Sequence, residues 1–241
     1  MAGEAPGLFY GYVTQGIVQK EDITENGIKY IKQDGSVGYY QTVNKTTPVA
    51  GDVKYVDRNG DGVVDDNDRD IIGNPNPDFT YGFQTKVSWK SLSLSASFNG
   101  VQGRDILNVG NRYNNTPGTK SNTVTRKAFQ NMWTDENPSN LYPKSTFVVQ
   151  NMVMDRYVED GSYLRCSDIT LSYVLPAKWT NKIGIKNTSV YASVKNAFVI
   201  TDYSGYDPEV NSFAFDGLRP GVDMNSYPTP RSFVFGLNLT F

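Results

Sequence analysis

The chain has 241 residues, a formal net charge of −2, 16 tyrosines, 12 phenylalanines, a single cysteine and no histidine. This composition excludes His-dependent catalytic triads and His-ligated zinc, and the lone Cys166 cannot form an internal disulfide. The sequence has no Lys/Arg-rich run to bind nucleic acid and no stretch of about 18 apolar residues to form a transmembrane helix, although a membrane β-barrel stays compatible with it.

The N-terminal stretch, MAGEAPGLFYGY, lacks the charged region and apolar run of a signal peptide. The prediction is therefore either a cytosolic chain or one whose true beginning is missing. From Leu8 onward, the run LFYGYVTQGIV alternates weakly in polarity and predicts a first strand.

The acidic stretch DRNGDGVVDDND matches the spacing of a calcium-binding loop, in which alternate oxygens converge on a hard cation at about 2.3–2.6 Å. The predicted ligands are Asp57, Asn59, Asp61, the carbonyl of Val63, Asp65 and Asp68. The alternative is a solvated turn whose Asp and Asn side chains cap their own backbone. No helix is predicted on either side, so a bound Ca²⁺ would stiffen an external loop and would not drive an EF-hand switch.

A β-hairpin is predicted after this loop. The runs FTYGFQTKVSWK and SLSLSASFNGV both alternate with a period of two, and only Lys90 and Ser91 separate them. Apolar residues such as Phe83 and Leu94 fall on one face. The polar residues predicted on the other face are Gln84, Lys86, Ser93, Ser95 and Asn99.

Three further strands are predicted from SYLRCSDITLSYVL, TSVYASVKNAFVI and RSFVFGLNLTF. The last of these runs alternates most clearly, with Phe233, Phe235, Leu237, Leu239 and Phe241 on one face. Its length of roughly 9–11 residues is that of a tilted membrane strand.

The connections between the six predicted strands alternate between long and short, with about sixty, two, sixty, twelve and thirty residues. Outer-membrane barrels have short turns on one side and long loops on the other, whereas a soluble sandwich has no reason to alternate in this way. The loop lengths therefore favour a membrane barrel.

Loop residues that could serve carbohydrate chemistry carry no motif. They are the carboxylates Asp135, Glu136, Asp207 and Glu209 and the aromatic residues Trp133, Tyr142, Tyr203 and Tyr206. Without a motif, such residues are usually solvated turn residues or loop anchors, so we predict that the protein is not an enzyme.

Six stretches carry a family resemblance, in this order: GDVKYVDRNGDGVVDDNDRDIIGNPNPDFTYGF, FNGVQGRDILN, MWTDENPSNLYP, YVEDGSYLRCSDITLSYVLP, VKNAFVITDYSGYDPEV and RSFVFGLNLTF. Through them the chain resembles, from about Gly7 to Phe241, the SusC/RagA-like TonB-dependent outer-membrane transporters of the Bacteroidetes.

The resemblance implies an all-β fold. Residues 1–241 would be an antiparallel meander of about six strands, the C-terminal part of a 22-stranded transmembrane β-barrel with long extracellular loops. The plug domain and the rest of the barrel would be absent from this chain. Its two sheet edges would be exposed, so the isolated segment is expected to aggregate or to need a partner chain.

The resemblance also implies a function in the bacterial outer membrane, the import of glycans or other large nutrients together with a SusD-like surface lipoprotein. The TonB complex would power import through the missing N-terminal part. The polar hairpin residues would line the lumen, and Phe233, Phe235, Leu237, Leu239 and Phe241 would form the signal that the barrel-assembly machinery reads.

Two alternatives stay open at this point. One is a soluble secreted β-sandwich that binds carbohydrate and contains a structural calcium loop. The other is a small autonomous outer-membrane barrel of eight strands, which would need two more strands within the long loops.

Overall fold

A computed structural model of the chain describes residues 3–116, 124–145, 152–180 and 187–240. The described residues form two compact units. The first unit lies within Met1–Asn76, Asp105–Glu159 and Asn211–Asn225, and the second lies within Pro77–Arg104, Asp160–Val210 and Ser226–Phe241.

The first unit contains short strands joined over long sequence distances. Before residue 77 they are β1 (Phe9–Gly11), β2 (Thr14–Ile17), β3 (Ile23–Thr24), β4 (Gly27–Ile31), β5 (Val37–Tyr40), β6 (Thr42–Val43), β7 (Val53–Tyr55), β8 (Val63–Val64) and β9 (Asp70–Gly73). β1 pairs with β9, β2 with β7 and β6 with β8, while β3, β4 and β5 form a three-stranded sheet.

The core of the first unit is rich in tyrosine. Tyr12, Tyr30, Tyr40 and Tyr55 are buried together with aliphatic residues from several of the short strands. The hydroxyl of Tyr30 donates a hydrogen bond to the carbonyl of Asp57 at 2.6 Å, and the hydroxyl of Tyr40 accepts one from the N–H of Tyr55 at 3.1 Å. Each ring thus fills core volume while its hydroxyl satisfies a backbone group that would otherwise be buried without a partner.

The second unit contains a sheet of long strands. The remaining strands among the described residues are β10 (Phe79–Trp89), β11 (Leu92–Gln102), β12 (Asp105–Asn108), β13 (Val158–Asp160), β14 (Tyr163–Val174), β15 (Asn187–Thr201), β16 (Val222–Asp223) and β17 (Ser232–Thr240). Of these, β12 and β16 belong to the first unit. The long sheet has the order β10-β11-β14-β15-β17, with every neighbouring pair antiparallel. The predicted all-β antiparallel meander is confirmed.

The predicted hairpin is confirmed. Trp89 pairs with Leu92 and Phe79 with Gln102, and Lys90 takes a positive φ of 54° in the tight turn between the strands. Farther along the sheet, the pairing of β14 with β15 shifts between Cys166 and Asp168, which is a local bulge.

The opening run from Leu8 differs from its prediction. It forms the two short strands β1 and β2, which pair with β9 and β7 in the first unit, so the long sheet has five strands among the described residues. The break between the two strands falls at Tyr12 and Val13, and each strand contains a glycine in a constrained position. A Cβ on Gly11 would lie 2.4 Å from the carbonyl oxygen of Val153, and Gly16 has a positive φ of 86°.

Among the residues that the structure describes, helical structure is limited to short segments. The α-helices are α1 (Val109–Asn114), α2 (Arg126–Asn131) and α3 (Ala177–Thr180), and single 3-10 turns cover Lys20–Asp22, Asp66–Asp68 and Asp155–Tyr157. Within the described ranges, no helix is long and apolar enough to cross a membrane.

Candidate functional site

One face of the long sheet is apolar and exposed. Trp89 on β10 is 69% exposed and Phe235 on β17 is 79% exposed. The aromatic residues of this face contact one another along the sheet, for example Phe83 and Phe98, whose rings stack at 4.5 Å. A sandwich would bury such a face against a second sheet, whereas this one is exposed.

The other face of the sheet is polar. The register pairs Lys86 with Ser95, Gln84 with Ser97 and Ser88 with Ser93. The five predicted lumen residues, Gln84, Lys86, Ser93, Ser95 and Asn99, therefore share one face, as the sequence pattern predicts. That this face lines a lumen stays a prediction.

Asp168 organises the polar face at its centre. Its carboxylate accepts hydrogen bonds from the hydroxyls of Thr170 at 2.8 Å and Ser193 at 2.7 Å, and it lies 2.6 Å from the ammonium of Lys195. A carboxylate with three such partners holds β14 and β15 in a fixed register on the polar side. The alternating pattern of the strand offers no reason to single out this residue.

The acidic loop is closed by its own backbone. Asp57 is 2% exposed, and its two carboxylate oxygens accept the N–H groups of Gly60 at 2.7 Å and Gly62 at 2.8 Å. Asp68 is fully buried, and its oxygens accept N–H groups from Arg58 at 2.8 Å and Asp65 at 2.8 Å. The first and last acidic residues of the predicted calcium loop therefore fasten its two ends together.

The other predicted ligands make local turns. An oxygen of Asp61 accepts the N–H of Val63 at 2.9 Å, and an oxygen of Asp65 accepts the N–H of Asn67 at 2.8 Å. Asn59 donates its amide to Asp61 at 2.9 Å. These contacts match the alternative of an Asp- and Asn-capped turn.

Burial raises the pKa of Asp57 and outweighs the N–H groups of Gly62 and Gly60, which lower it; the charges of Asp68 and Asp61 raise it further. Across the described ranges, no group of three or more His, Cys, Asp or Glu side chains is arranged to hold a metal ion. The oxygens of the loop would therefore have to turn toward one point to bind Ca²⁺. Calcium binding stays a prediction.

Most of the loop aromatic residues act as anchors. Trp133, Tyr142 and Tyr203 are buried, whereas Tyr206 is exposed. The indole N–H of Trp133 donates to the side-chain carbonyl of Gln19 at 3.0 Å, which fixes its ring inside the first unit. A sugar-stacking surface formed by all four rings therefore does not exist.

Three of the four candidate carboxylates are paired with cations. Asp135 lies 2.9 Å from Lys20 in an exposed ion pair. Asp207 lies 2.5 Å from Arg165, and Glu209 lies 3.1 Å from the same guanidinium. Sequence reasoning missed Arg165, because a single arginine within an alternating strand carries no signal of its partner 42 residues away.

The terminal strand β17 carries most of the predicted assembly signal. Phe233, Phe235, Leu237 and Leu239 all lie on its exposed apolar face, as predicted. Phe241 lies outside the described residues. That this pattern is read during barrel assembly stays a prediction.

Comparison with curated proteins gives a consistent set of relatives, although no family model matches the chain. The chain is 35% identical to the TonB-dependent receptor P26 of Formosa agariphila over 201 residues, which cover 80% of this chain and 20% of that protein. It is 32% identical to the TonB-dependent receptor P3 of the same organism over 243 residues, covering 99% of this chain and 22% of that protein.

The chain is also 32% identical to the TonB-dependent receptor SusC of Bacteroides thetaiotaomicron over 193 residues, covering 78% of this chain and 17% of SusC. The predicted resemblance to SusC/RagA-like TonB-dependent receptors is confirmed. This SusC/RagA-like chain spans about a fifth of the length of these curated relatives.

Solved structures agree with this relationship. The SusC/RagA-like chain is similar to the RagAB peptide importer in its open-open state, with a TM-score of 0.64 and 25% identity over 98% of this chain and 22% of that one. The closed-closed state gives a TM-score of 0.65 at 24% identity, over 98% of this chain and 23% of that one. The fold therefore matches part of a β-barrel transporter.

Proposed function

We propose that this chain forms part of the wall of an outer-membrane TonB-dependent importer. The observation that carries this proposal is the long antiparallel sheet, in which one face is apolar and exposed and the other is polar and hydrogen-bonded. Soluble monomers rarely expose an apolar face of this kind, whereas lipid solvates it in a membrane barrel. Similarity to TonB-dependent receptors and to the RagAB importer supports the same conclusion.

The whole protein is proposed to import glycans or other large nutrients together with a SusD-like surface lipoprotein, with energy from the TonB complex. The relationship to SusC supports this proposal, while the similar RagAB complex is a peptide importer. Uptake assays with the whole protein, supplied in parallel with oligosaccharides and oligopeptides, distinguish the two cargo classes.

The residues of the sheet have different proposed roles. Gln84, Lys86, Ser93, Ser95 and Asn99 line a water-filled lumen, while Phe235 and its neighbours on the apolar face contact outer-membrane lipid. The terminal strand is the part that the barrel-assembly machinery recognises. None of these roles requires chemistry on a substrate, and the relatives are receptors and importers.

Spin labels on neighbouring residues of β17 test the orientation of the sheet. Leu237 lies on the apolar face and Asn238 on the polar face, and buried Cys166 is first replaced by alanine so that each variant carries one thiol. The full chain is reconstituted in lipid bilayers. Collision with oxygen, which concentrates in lipid, is compared with collision with a water-soluble nickel complex.

We expect the label in Leu237→Cys to be more accessible to oxygen and the label in Asn238→Cys to be more accessible to the nickel complex. A soluble sandwich predicts a different result, in which the Leu237→Cys label is immobile and protected from both reagents. Equal access of both labels to the nickel complex would also contradict the membrane proposal.

A further inference from the structure

Two sequence motifs, YLRC and YDPE, meet in a buried ion pair of the second unit. Arg165 comes from β14, and Asp207 comes from the loop that follows β15; each side chain is only 6% exposed. Nη2 of Arg165 lies 2.5 Å from Oδ1 of Asp207. Nε of Arg165 lies 3.1 Å from Oε2 of Glu209, close enough for an ion pair, although its N–H does not make a hydrogen bond.

The carboxylate of Asp207 joins three separate segments. Its Oδ1 also accepts the N–H of Glu209 at 2.9 Å, and its Oδ2 accepts the N–H of Thr229 at 3.1 Å. Thr229 lies just before β17 begins at Ser232. One carboxylate therefore holds β14, the segment that leaves the sheet after β15 and the segment that returns to it.

Further contacts fasten the outgoing segment to the ends of the strands. Oε1 of Glu209 accepts hydrogen bonds from the hydroxyl of Tyr163 at 2.5 Å and from the amide of Asn99 at 3.1 Å. The guanidinium of Arg104 donates to the carbonyl of Pro208. The outgoing segment is thus bound to residues of β11 and β14 as well as to Arg104, which follows β11.

The electrostatics of Asp207 keep it charged at neutral pH. Burial acts to raise its pKa, but the N–H of Glu209, the hydroxyl and N–H of Thr229 and the charge of Arg165 outweigh burial and lower the pKa. A charged carboxylate at this depth is stable only while its donors stay in place, because an unpaired buried charge is costly.

The middle of the same loop is held by different contacts, since β16 pairs with β12 and Asp223 is buried. Asp216 and Arg219 form a local pair at 3.3 Å whose side chains are 31% and 63% exposed. Asn211–Asn225 is also assigned to the first unit, whereas the residues on either side belong to the second. The Arg165–Asp207 pair therefore lies close to both points where the loop leaves and re-enters the sheet unit.

We propose that the Arg165–Asp207 ion pair is a clamp that couples the two ends of the 202–231 loop, so that they open together. The coupling follows from the shared carboxylate. Opening of the outgoing end breaks the contact with Arg165, and the same event removes the acceptor of the Thr229 N–H. The clamp therefore acts on the two ends of the loop, 203–210 and 226–231.

Hydrogen–deuterium exchange of the full chain in lipid or detergent tests the clamp. In Asp207→Asn, which keeps the size of the side chain and removes its charge, we expect exchange to become about tenfold faster or more in both 203–210 and 226–232. Peptides from β10 and β11 should keep their protection. Asp216→Asn is the matched control, since it removes a partly exposed carboxylate from the same loop and should leave both segments unchanged.

Faster exchange in 203–210 alone would overturn the proposal, because it would make Asp207 a local turn residue. Unchanged exchange in both segments would overturn it as well. If Asp207→Asn also loses protection in β10 and β11, the single variants Arg165→Gln and Asp207→Asn are compared with the double variant by thermal unfolding. A clamp predicts that the double variant is as stable as the less stable of the two single variants. If the double variant instead loses the sum of the two single losses in stability, the clamp is contradicted.

Discussion

The ring of Tyr191 on β15 lies over Gly236, its partner on β17. A Cβ at Gly236 would lie 2.2 Å from two atoms of this ring. Tyr81 on β10 covers its partner Gly100 on β11 in the same way. A Cβ at Gly100 would lie 2.3 Å from the Tyr81 ring. The missing side chain of each glycine thus lets an aromatic ring pack against the neighbouring backbone.

The variant Gly236→Ala should displace the Tyr191 ring and lower the free energy of unfolding by about 1 kcal/mol, because the cross-strand contact is lost. The measurement is denaturant unfolding of the full chain folded in lipid vesicles. The same substitution in a Tyr191→Ser background is the control and should cost nothing or stabilise the strand. An equal loss in both backgrounds would show that the ring is not the cause.

Stability should fall under alkaline conditions because of the buried tyrosines of the first unit. Burial, together with the charges of Asp57 and Asp68, raises the pKa of Tyr30 from 10.0 to about 12. Between these two pH values the unfolded chain releases the Tyr30 proton while the folded chain keeps it, so the free energy of unfolding decreases as the pH rises. Near-UV circular dichroism across this range measures the effect.

The variant Tyr30→Phe is the matched control for this pH effect. It removes the titrating hydroxyl and also the hydrogen bond to the carbonyl of Asp57, so we expect a loss of about 1 kcal/mol at neutral pH. Its alkaline slope should be shallower than that of the wild type. The slope should not vanish, since burial also raises the pKa of Tyr40 and Tyr55. An unchanged slope would contradict the role of Tyr30.

The long sheet could be predicted from the sequence because the two faces of each strand differ, one being apolar and the other polar. Residues on β10, β11 and β17 alternate strictly, and a period of two assigns each side chain to a face. The two-residue connection at Lys90 and Ser91 then fixes the register of the hairpin. Long strands with such contrast give a reliable pattern, whereas the pattern of β14 and β15 is less regular and their pairing shifts between Cys166 and Asp168.

The first unit could not be predicted in the same way. Its strands are two to five residues long, too short for a period of two to stand out. They pair over long distances, as β1 does with β9, and their core depends on tyrosine hydroxyls that find backbone partners only in the folded chain. The Arg165–Asp207 pair could not be predicted either, because no local sequence pattern identifies the partner of a single charged residue.

Calorimetric titration with CaCl₂ tests the acidic loop. If the predicted site forms, we expect saturable heat with a Kd of about 0.1–1 mM, since the carboxylates must give up backbone N–H donors to converge on the ion. The variants Asp57→Ala and Asp61→Ala should lose the heat. Asp61→Ala is the more informative of the two, because Asp61 is exposed while Asp57 also closes the loop.

The pH dependence of this heat gives a second test. Because the pKa of Asp57 is raised, protons should compete with Ca²⁺ at a higher pH than for an ordinary aspartate, and affinity should fall as the pH is lowered through that range. Absence of saturable heat in the wild type would reject the calcium prediction. The loop would then be a turn held by its own carboxylate–backbone hydrogen bonds.

Charge placed on the two faces of β17 should have opposite consequences for stability. Phe235→Arg puts a cation on the exposed apolar face, where lipid contact predicts a loss of about 2–4 kcal/mol near the middle of the bilayer. Asn238→Arg puts the same charge on the polar face and should cost less than about 1 kcal/mol. Reversible unfolding from lipid vesicles measures both. Equal losses at the two positions would mean that the faces of the sheet do not differ in solvent, and the proposed place of this sheet in a membrane wall would be wrong.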